Sequence, residues 1–235
     1  MGRWIVPGLF LAVAVAIGAH GWQDGAFALA HPSLHAGLVA LYYVLRTAVA
    51  LAFAAFTVGR GEPHRRARGV LAFGACAVAM GSVLAFSAPS ATTAAGFVLV
   101  GDLVAVVSCV WLLTAVLALG RCFGVLPEAR GLVTRGPYRF TRHPVYLGEI
   151  GACVGLSLAA PSALNVAVLA LFLAAQAVRM RLEERALTVA FADYAGYAAR
   201  TPRLVPRITR ARSKHRPVTT LVDSIASARL TSPSN

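Results

Sequence analysis

Charged residues are scarce in this chain of 235 residues, where Asp, Glu, Lys and Arg together account for 13%. A soluble domain carries roughly 25%, so the shortage excludes an ordinary water-exposed surface. The 58% share of hydrophobic residues excludes intrinsic disorder.

Among the charged residues the acidic ones are fewest, 9 against 22 Lys and Arg, and the resulting net charge of +13 can indicate nucleic-acid binding. The apolar runs Gly37–Gly59 and Phe97–Leu119, however, reach the roughly 20 residues that cross a bilayer. They predict an integral membrane protein that binds no nucleic acid.

Paired cysteine motifs are missing as well. The four cysteines are scattered as Cys76, Cys109, Cys122 and Cys153, and no C-x-x-C pair occurs. The sequence therefore indicates neither a disulfide framework nor a zinc site, and we expect small buried side chains at these positions. Two histidines in the stretch 31–35 are too few ligands for a metal centre, so no metal is predicted.

Six apolar segments predict the fold class, an all-α polytopic membrane bundle of about six transmembrane helices with a C-terminal cytoplasmic helix. The first segment also fits a secretory signal, because Arg3 precedes it and small residues follow it; its cleavage would leave five spans. Pro161 separates the last two segments, which predicts a helical hairpin, and glycines at 148, 151 and 155 predict a close-packing face. The six segments are Trp4–Ala19, Gly37–Gly59, Val70–Ala88, Phe97–Leu119, Val145–Ala160 and Ser162–Val178.

Positive charge is distributed asymmetrically around these segments. Every Lys and Arg except Arg46 lies before the first segment, in the connections 60–68 and 121–142, or after residue 178. Because positive residues stay on the cytoplasmic side, both termini are predicted to be cytoplasmic and to contact anionic lipids. Arg46 and Asp102 lie inside predicted spans, where charge is costly. Either they pair with each other, or Arg46 extends to the interface and Asp102 caps a helix.

The segment Arg130–Tyr146 combines basic and aromatic residues. Pro144 can begin a helix, so His143 is predicted near the N-terminus of the fifth helix, where anions are attracted. Further arginines add positive charge, and Tyr138 and Tyr146 supply flat rings. The segment predicts a site for a ligand with an aromatic and an anionic part; a plain membrane anchor is the alternative.

A second polar cluster follows the sixth apolar segment. If the helix continues past Val178, Arg179 and Glu183 stand at positions i and i+4 on one face. Arginine can hold a carboxylate, and glutamate can hold an ammonium or a sulfonium. The alternative is an ordinary surface ion pair.

Together the two clusters resemble the isoprenylcysteine carboxyl methyltransferase family, integral membrane enzymes with relatives that act on phospholipid amines and small thiols. The resemblance covers about residues 120–207. The motifs that carry it are Gly131-Leu132-Val133-Thr134, Gly136-Pro137-Tyr138-Arg139, Arg142-His143-Pro144-Val145-Tyr146-Leu147-Gly148, Arg179 with Glu183-Glu184, and the tail Phe191, Tyr194, Tyr197 and Pro202-Arg203-Leu204-Val205-Pro206.

This resemblance implies S-adenosylmethionine as methyl donor, held between the last helices and the C-terminal segment. It also implies that Arg179 is the catalytic residue, which orients the carboxylate of the acceptor. Since a carboxylate needs no general base, we predict neither a nucleophilic triad nor a metal. The residues implied to bind the cofactor are Gly131, Leu132, Val133, Tyr138, His143, Pro144, Val145, Tyr146 and Glu183.

The resulting prediction divides the chain into a scaffold of N-terminal transmembrane helices (1–119), a methyltransferase core (120–207) and a basic flexible tail (208–235). The predicted activity is O-methylation of a carboxylate on a lipophilic, isoprenylcysteine-like substrate that enters from the bilayer between helices. Two alternatives stay open. One is methylation of a phospholipid amine or a thiol, and the other is a non-enzymatic transporter that uses Arg46 and Asp102.

Overall fold

The computed structural model describes residues 4–58, 62–66 and 69–205. These residues form an all-α bundle, which confirms the predicted fold class, with one short antiparallel pairing of β1 (Arg65–Arg66) and β2 (Glu128–Ala129). Arg3 and the predicted tail 208–235 lie outside the described residues. The helices are α1 (Ile5–Ala30), α2 (Leu34–Thr57), α3 (Val70–Leu84), α4 (Ala95–Leu119), α5 (Pro144–Ala159), α6 (Ala163–Ala190) and α7 (Tyr194–Arg200).

The apolar helices differ in length. By length and composition, α1, α2, α4 and α6 can cross a membrane, whereas α3 and α5 are shorter apolar helices. The first helix is longer than predicted and continues to Ala30. The polar residues His20 and Asp24 lower the hydropathy there but leave the backbone hydrogen bonds of the helix intact. The sixth helix continues past Val178 to Ala190, as the spacing of Arg179 and Glu183 required.

The glycines of α5 form the predicted close-packing face, and it lies against α4. A Cβ atom added at Gly155 would lie 2.6 Å from the backbone nitrogen of Ala105. One added at Gly101 would lie 2.3 Å from the backbone nitrogen of Ala159. Because any side chain at these positions would collide with backbone atoms, α4 and α5 are held at the short distance that only glycine permits.

The helices form two groups with the site between them. In the first group α1, α2, α4 and α5 pack side by side, and in the second α3 packs along α6. Fully buried Asn165 links the groups at one end: its Nδ2 donates to the carbonyl oxygen of Ala160 at 2.7 Å, and its Oδ1 accepts from the backbone nitrogen of Ser87 at 2.9 Å. The predicted α5–α6 hairpin is present, but each of its helices has its main partner elsewhere.

The two charged residues inside the predicted spans do not pair with each other. Asp102 Oδ2 lies 2.6 Å from Nδ1 of His35 on α2, and Asp102 stands within α4 rather than capping it. Arg46 instead donates to the Tyr42 hydroxyl at 3.2 Å. The proposed Arg46–Asp102 pair is therefore wrong, because the histidine one helix away supplies the polar partner of Asp102.

Candidate active site

A cavity of about 230 Å³ lies between the two helix groups. Its wall is formed by residues of α1 to α6 and of the loop between α4 and α5. Most of the lining is apolar. The three N-terminal helices, predicted as scaffold, contribute Phe10, Arg46 and Met80 among others. The division of the chain at residue 119 stays a prediction, but the wall of the cavity crosses it.

Six of the ten predicted site residues line this cavity, and they come from both sequence clusters. Gly131, Leu132 and Val133, in the loop between α4 and α5, lie outside the cavity lining and are half-buried. Gly131 packs so closely on Cys122 that an added Cβ atom would lie 2.6 Å from the Cys122 Sγ. Pro144 is buried, and its carbonyl oxygen accepts from the indole nitrogen of Trp111 at 2.9 Å. The lining residues are Tyr138, His143, Val145, Tyr146, Arg179 and Glu183, and those outside it are Gly131, Leu132, Val133 and Pro144.

Arg179 is held by groups from α5 and α6. Its Nη1 donates to Gln176 Oε1 at 2.7 Å and lies 3.6 Å from Glu149 Oε2. The guanidinium stands 4.9 Å from the centre of the Tyr146 ring. Gln176 is fully buried, and its amide also donates to Glu149. Sequence reasoning missed Glu149 and Gln176, because each is a single polar residue within an apolar run.

Glu183 lies one turn further along α6. Its Oε2 accepts from the Tyr146 hydroxyl at 2.8 Å. Within the described ranges, none of the ion pairs includes Glu183. The predicted surface pair of Arg179 with Glu183 is thus replaced by two separate contacts, and Glu183 presents a carboxylate to the cavity with a phenol as its hydrogen-bond partner.

Glu184 organises the backbone around the cavity. Its Oε1 lies 2.9 Å from Arg142 Nη1 and 3.1 Å from His143 Nε2, and both its oxygens accept from the Arg203 guanidinium. The backbone nitrogen of Arg142 donates to the carbonyl oxygen of Pro202 at 2.9 Å. One carboxylate therefore joins the start of α5, the sixth helix and the C-terminal segment.

Tyr197 and Tyr138 fix the loop between α4 and α5 to α7. The Tyr197 hydroxyl on α7 donates to the carbonyl oxygen of Tyr138 at 2.7 Å. Burial raises the pKa of Tyr197 to about 12, so the phenol keeps the proton that it donates. Burial, followed by the charge of Glu183, also raises the pKa of the Tyr138 phenol well above its usual range. Both rings therefore present neutral phenols at neutral pH.

Two polar side chains of the cavity, Glu183 and Arg179, can each bind a group of a ligand. Glu183 can offset a sulfonium or an ammonium, since no side-chain cation pairs with it in the part of the chain that the structure describes. Nε of Arg179 is buried without a hydrogen-bond partner, so it can donate to a further oxygen. Among residues 4–58, 62–66 and 69–205, no group of three or more His, Cys, Asp or Glu side chains is placed to hold a metal ion.

Comparison with known proteins gives a family for the same region. Residues 90–193 match the family model of the phospholipid methyltransferases. This segment of the chain is therefore similar to that family over somewhat less than half of the 235 residues. The family is part of the group that also contains the isoprenylcysteine carboxyl methyltransferases, which confirms the resemblance found in the sequence. The four helices that are long and apolar enough to cross a membrane, together with this similarity, support an integral membrane protein.

Two curated relatives are named as metal resistance proteins. The chain is 40% identical over 84 residues to the cobalt-zinc-cadmium resistance protein CzcN of Cupriavidus metallidurans, which covers 35% of this chain and 39% of that protein. It is 38% identical over 84 residues to the nickel-cobalt-cadmium resistance protein NccN of Alcaligenes xylosoxydans xylosoxydans, with the same shares. The match thus spans about two fifths of the length of these relatives. No solved structure matches the chain.

Proposed function

We propose that the protein is an S-adenosylmethionine-dependent membrane methyltransferase that O-methylates a carboxylate on a lipophilic, isoprenylcysteine-like substrate. The observation that carries the proposal is the meeting of the two sequence clusters in one cavity, where Tyr146 contacts both Arg179 and Glu183. The similarity of residues 90–193 to the phospholipid methyltransferase family supports the methyl-transfer class of reaction.

Each polar group of the cavity has a definite task in this proposal. S-adenosylmethionine supplies a methyl group already activated on a sulfonium. Glu183 offsets the positive charge, and Arg179 orients the acceptor carboxylate through its free Nε and its planar guanidinium. Glu149 and Gln176 fix that guanidinium in place. The apolar lining excludes water and accepts the hydrocarbon part of the acceptor.

Positioning carries most of the catalysis, because a carboxylate is already a nucleophile at neutral pH. The reaction therefore needs neither a general base nor a metal. An acceptor amine or thiol must instead lose a proton.

Methylation of a phospholipid amine or a thiol is the second candidate. The family model names phospholipids, and the carboxylates of Glu149 and Glu183 in the cavity can attract an ammonium. The two reactions differ in their pH dependence. Transfer to an amine or a thiol rises with pH through the pKa of the acceptor, whereas transfer to a carboxylate stays level there.

We infer the orientation of the protein in the membrane from the distribution of its Lys and Arg residues. We place both termini and the connection between α4 and α5 in the cytoplasm, where anionic lipids attract exposed arginines such as Arg181 and Arg185. The cofactor then enters from the cytoplasm, and the lipophilic acceptor enters from the bilayer between helices.

Calorimetric titration of the detergent-purified protein with S-adenosylmethionine tests the proposal. We expect saturable binding that His143→Ala and Glu183→Gln both weaken. The control is Glu62→Gln, which removes an exposed carboxylate far along the chain from the motifs. Failure of the folded wild-type protein to bind would overturn the cofactor assignment and favour the transporter alternative.

The acceptor class is read from the chemistry of the product. Membranes that contain the protein are incubated with S-adenosylmethionine carrying a tritiated methyl group, and the extracted lipid is treated with base. A methyl ester releases volatile tritiated methanol, whereas N-methyl and S-methyl products keep the label. Retention of all label would exclude the carboxyl acceptor while leaving the methyltransferase proposal intact.

A further inference from the structure

The cavity contains two charged side chains that have no ion-pair partner within the described residues. Glu183 is an anion whose partner is the Tyr146 hydroxyl, and Arg46 is a cation whose hydrogen-bond partner is the Tyr42 hydroxyl. Two further arginines line the cavity and both have ion-pair partners: Arg142 pairs with Glu184, and Arg179 pairs with Glu149. The ligands of the cavity should therefore bring one positive group and one negative group.

Arg46 lies near the middle of α2, a helix that is long and apolar enough to cross a membrane. It is twelve residues from Leu34 and eleven from Thr57 in α2, which places it about 18 Å from one end of the helix and about 17 Å from the other. A charge at such depth is costly unless it is paired or serves a function. Tyr42 gives it a neutral acceptor and a ring face at 5.4 Å from the guanidinium carbon, but no charge.

The position of Arg46 along the bundle matches that of Glu149 on α5. Tyr42 belongs to the same core cluster as Ala152 of α5, and Val49 belongs to the same cluster as Val145. Arg46 lies between Tyr42 and Val49, and Glu149 lies between the corresponding residues of α5. An acceptor group held at Arg46 thus lies at about the level of the Arg179–Glu149 pair.

We infer that Arg46 supplies the unmatched positive charge for the oxyanion, a carboxylate or a phosphate, of the lipophilic acceptor that Arg179 orients. The inference rests on the proposed function for the identity of the second ligand, whose positive group faces Glu183. The guanidinium offers several donors to a carboxylate or phosphate, and the apolar residues of α1 and α3 on the same cavity surround the attached chain. The acceptor class is accordingly an acidic amphiphile rather than a neutral or purely cationic lipid.

Binding of tritiated hexadecanoate to the full chain in phosphatidylcholine nanodiscs tests this inference. Arg46→Gln should weaken binding about tenfold or more, the loss expected for one charge-assisted contact, and Arg46→Lys should keep part of the affinity. Competition with unlabelled hexadecyl phosphate and hexadecanol distinguishes the two oxyanions from a merely apolar ligand. The matched control is Arg200→Gln, an exposed arginine at the end of α7.

Measurements of the unfolding temperature and of S-adenosylmethionine binding distinguish a structural role of Arg46 from a role in binding the acceptor. Arg46→Gln should unfold at the same or a higher temperature than the unliganded wild type, because it removes an unpaired charge from the membrane, and it should bind S-adenosylmethionine normally. A lower unfolding temperature of Arg46→Gln would show that Arg46 stabilises the fold and would overturn the inference. Equal binding of hexadecanoate by the wild type and by Arg46→Gln would also overturn it. So would competition by hexadecanol that is as strong as competition by the acids. Normal hexadecanoate binding by a wild type that does not bind S-adenosylmethionine would refute the proposed function and leave the oxyanion site standing.

Discussion

Nε2 of His143 lies 3.1 Å from Oε1 of Glu184, although 41 positions separate the two residues. The contact joins the residue that precedes α5 to the C-terminal half of α6. Glu183, the preceding residue in the chain, instead extends toward the cavity and Tyr146. Two adjacent glutamates therefore have different tasks, since one fixes the walls of the site and the other presents a charge to its ligand.

Substitution of Glu184 by Gln should destabilise the protein. It removes the charge that His143, Arg142 and Arg203 share, at a cost of about 2 kcal/mol or more. A lowered unfolding temperature in detergent, followed by tryptophan fluorescence, checks this. Glu183→Gln should leave the unfolding temperature nearly unchanged, because an amide oxygen can still accept from Tyr146. Equal effects of the two substitutions would contradict the division of tasks.

Substitution of Arg179 by Lys should separate acceptor binding from cofactor binding. Lysine keeps the charge beside Glu149 but loses the planar fork that holds a carboxylate, so kcat/KM for methyl transfer should fall about tenfold or more. The dissociation constant of S-adenosylmethionine should stay nearly constant in calorimetry. Arg181→Lys, at an exposed position on the same helix, is the control. A parallel loss of cofactor affinity would move Arg179 into the cofactor site.

A methyl group at Gly155 should separate α4 from α5. Its Cβ would lie 2.6 Å from the backbone oxygen of Gly101, so Gly155→Ala should cost about 1–3 kcal/mol of stability. Gly74→Ala on α3 is the matched control, because no atom lies within 4 Å of a Cβ there; it should be neutral or stabilising by up to about 1 kcal/mol. Thermal unfolding of both variants measures the difference, and equal unfolding temperatures would refute the close approach.

Alkaline pH should weaken the contact between α7 and the loop. The pKa of Tyr197 rises from 10.0 to about 12 on folding, so its contribution to stability is complete below pH 10 and is lost as the pH rises through 12. Tyr197→Phe removes this contribution together with the hydrogen bond to Tyr138, at about 1 kcal/mol. Unfolding temperatures measured between pH 8 and pH 11 should fall more steeply for the wild type than for Tyr197→Phe. Parallel curves would show that Tyr197 does not carry the pH dependence.

The sequence predicted the parts of the site that lie in short motifs. Pro144 begins α5, as proline at a first helical position does, and His143 precedes it. Arg179 and Glu183 share a cavity because α6 continues past its apolar part. These features depend on local spacing, which is readable along the chain.

The remaining features depend on contacts between distant residues. Glu149 stands alone in an apolar run, and only the packing of α5 near α6 shows its partners. His35 as the partner of Asp102 likewise required the position of α2 beside α4. The predicted end of the first segment at Ala19 was wrong for another reason. Hydropathy falls at His20 and Asp24, but the helix continues to Ala30.

The docking of Arg203 on Glu184 has a consequence for biosynthesis. The segment that matches the family model ends at residue 193, but Glu184 obtains its last partner, and Arg142 and His143 their backbone contacts, only from the C-terminal segment that follows. During translation the helices leave the ribosome in order and insert before this last connection is available. The newly made chain therefore passes through a stage in which it is inserted in the membrane while Glu184 still lacks Arg203, and the site is complete only after Arg203 has been synthesised.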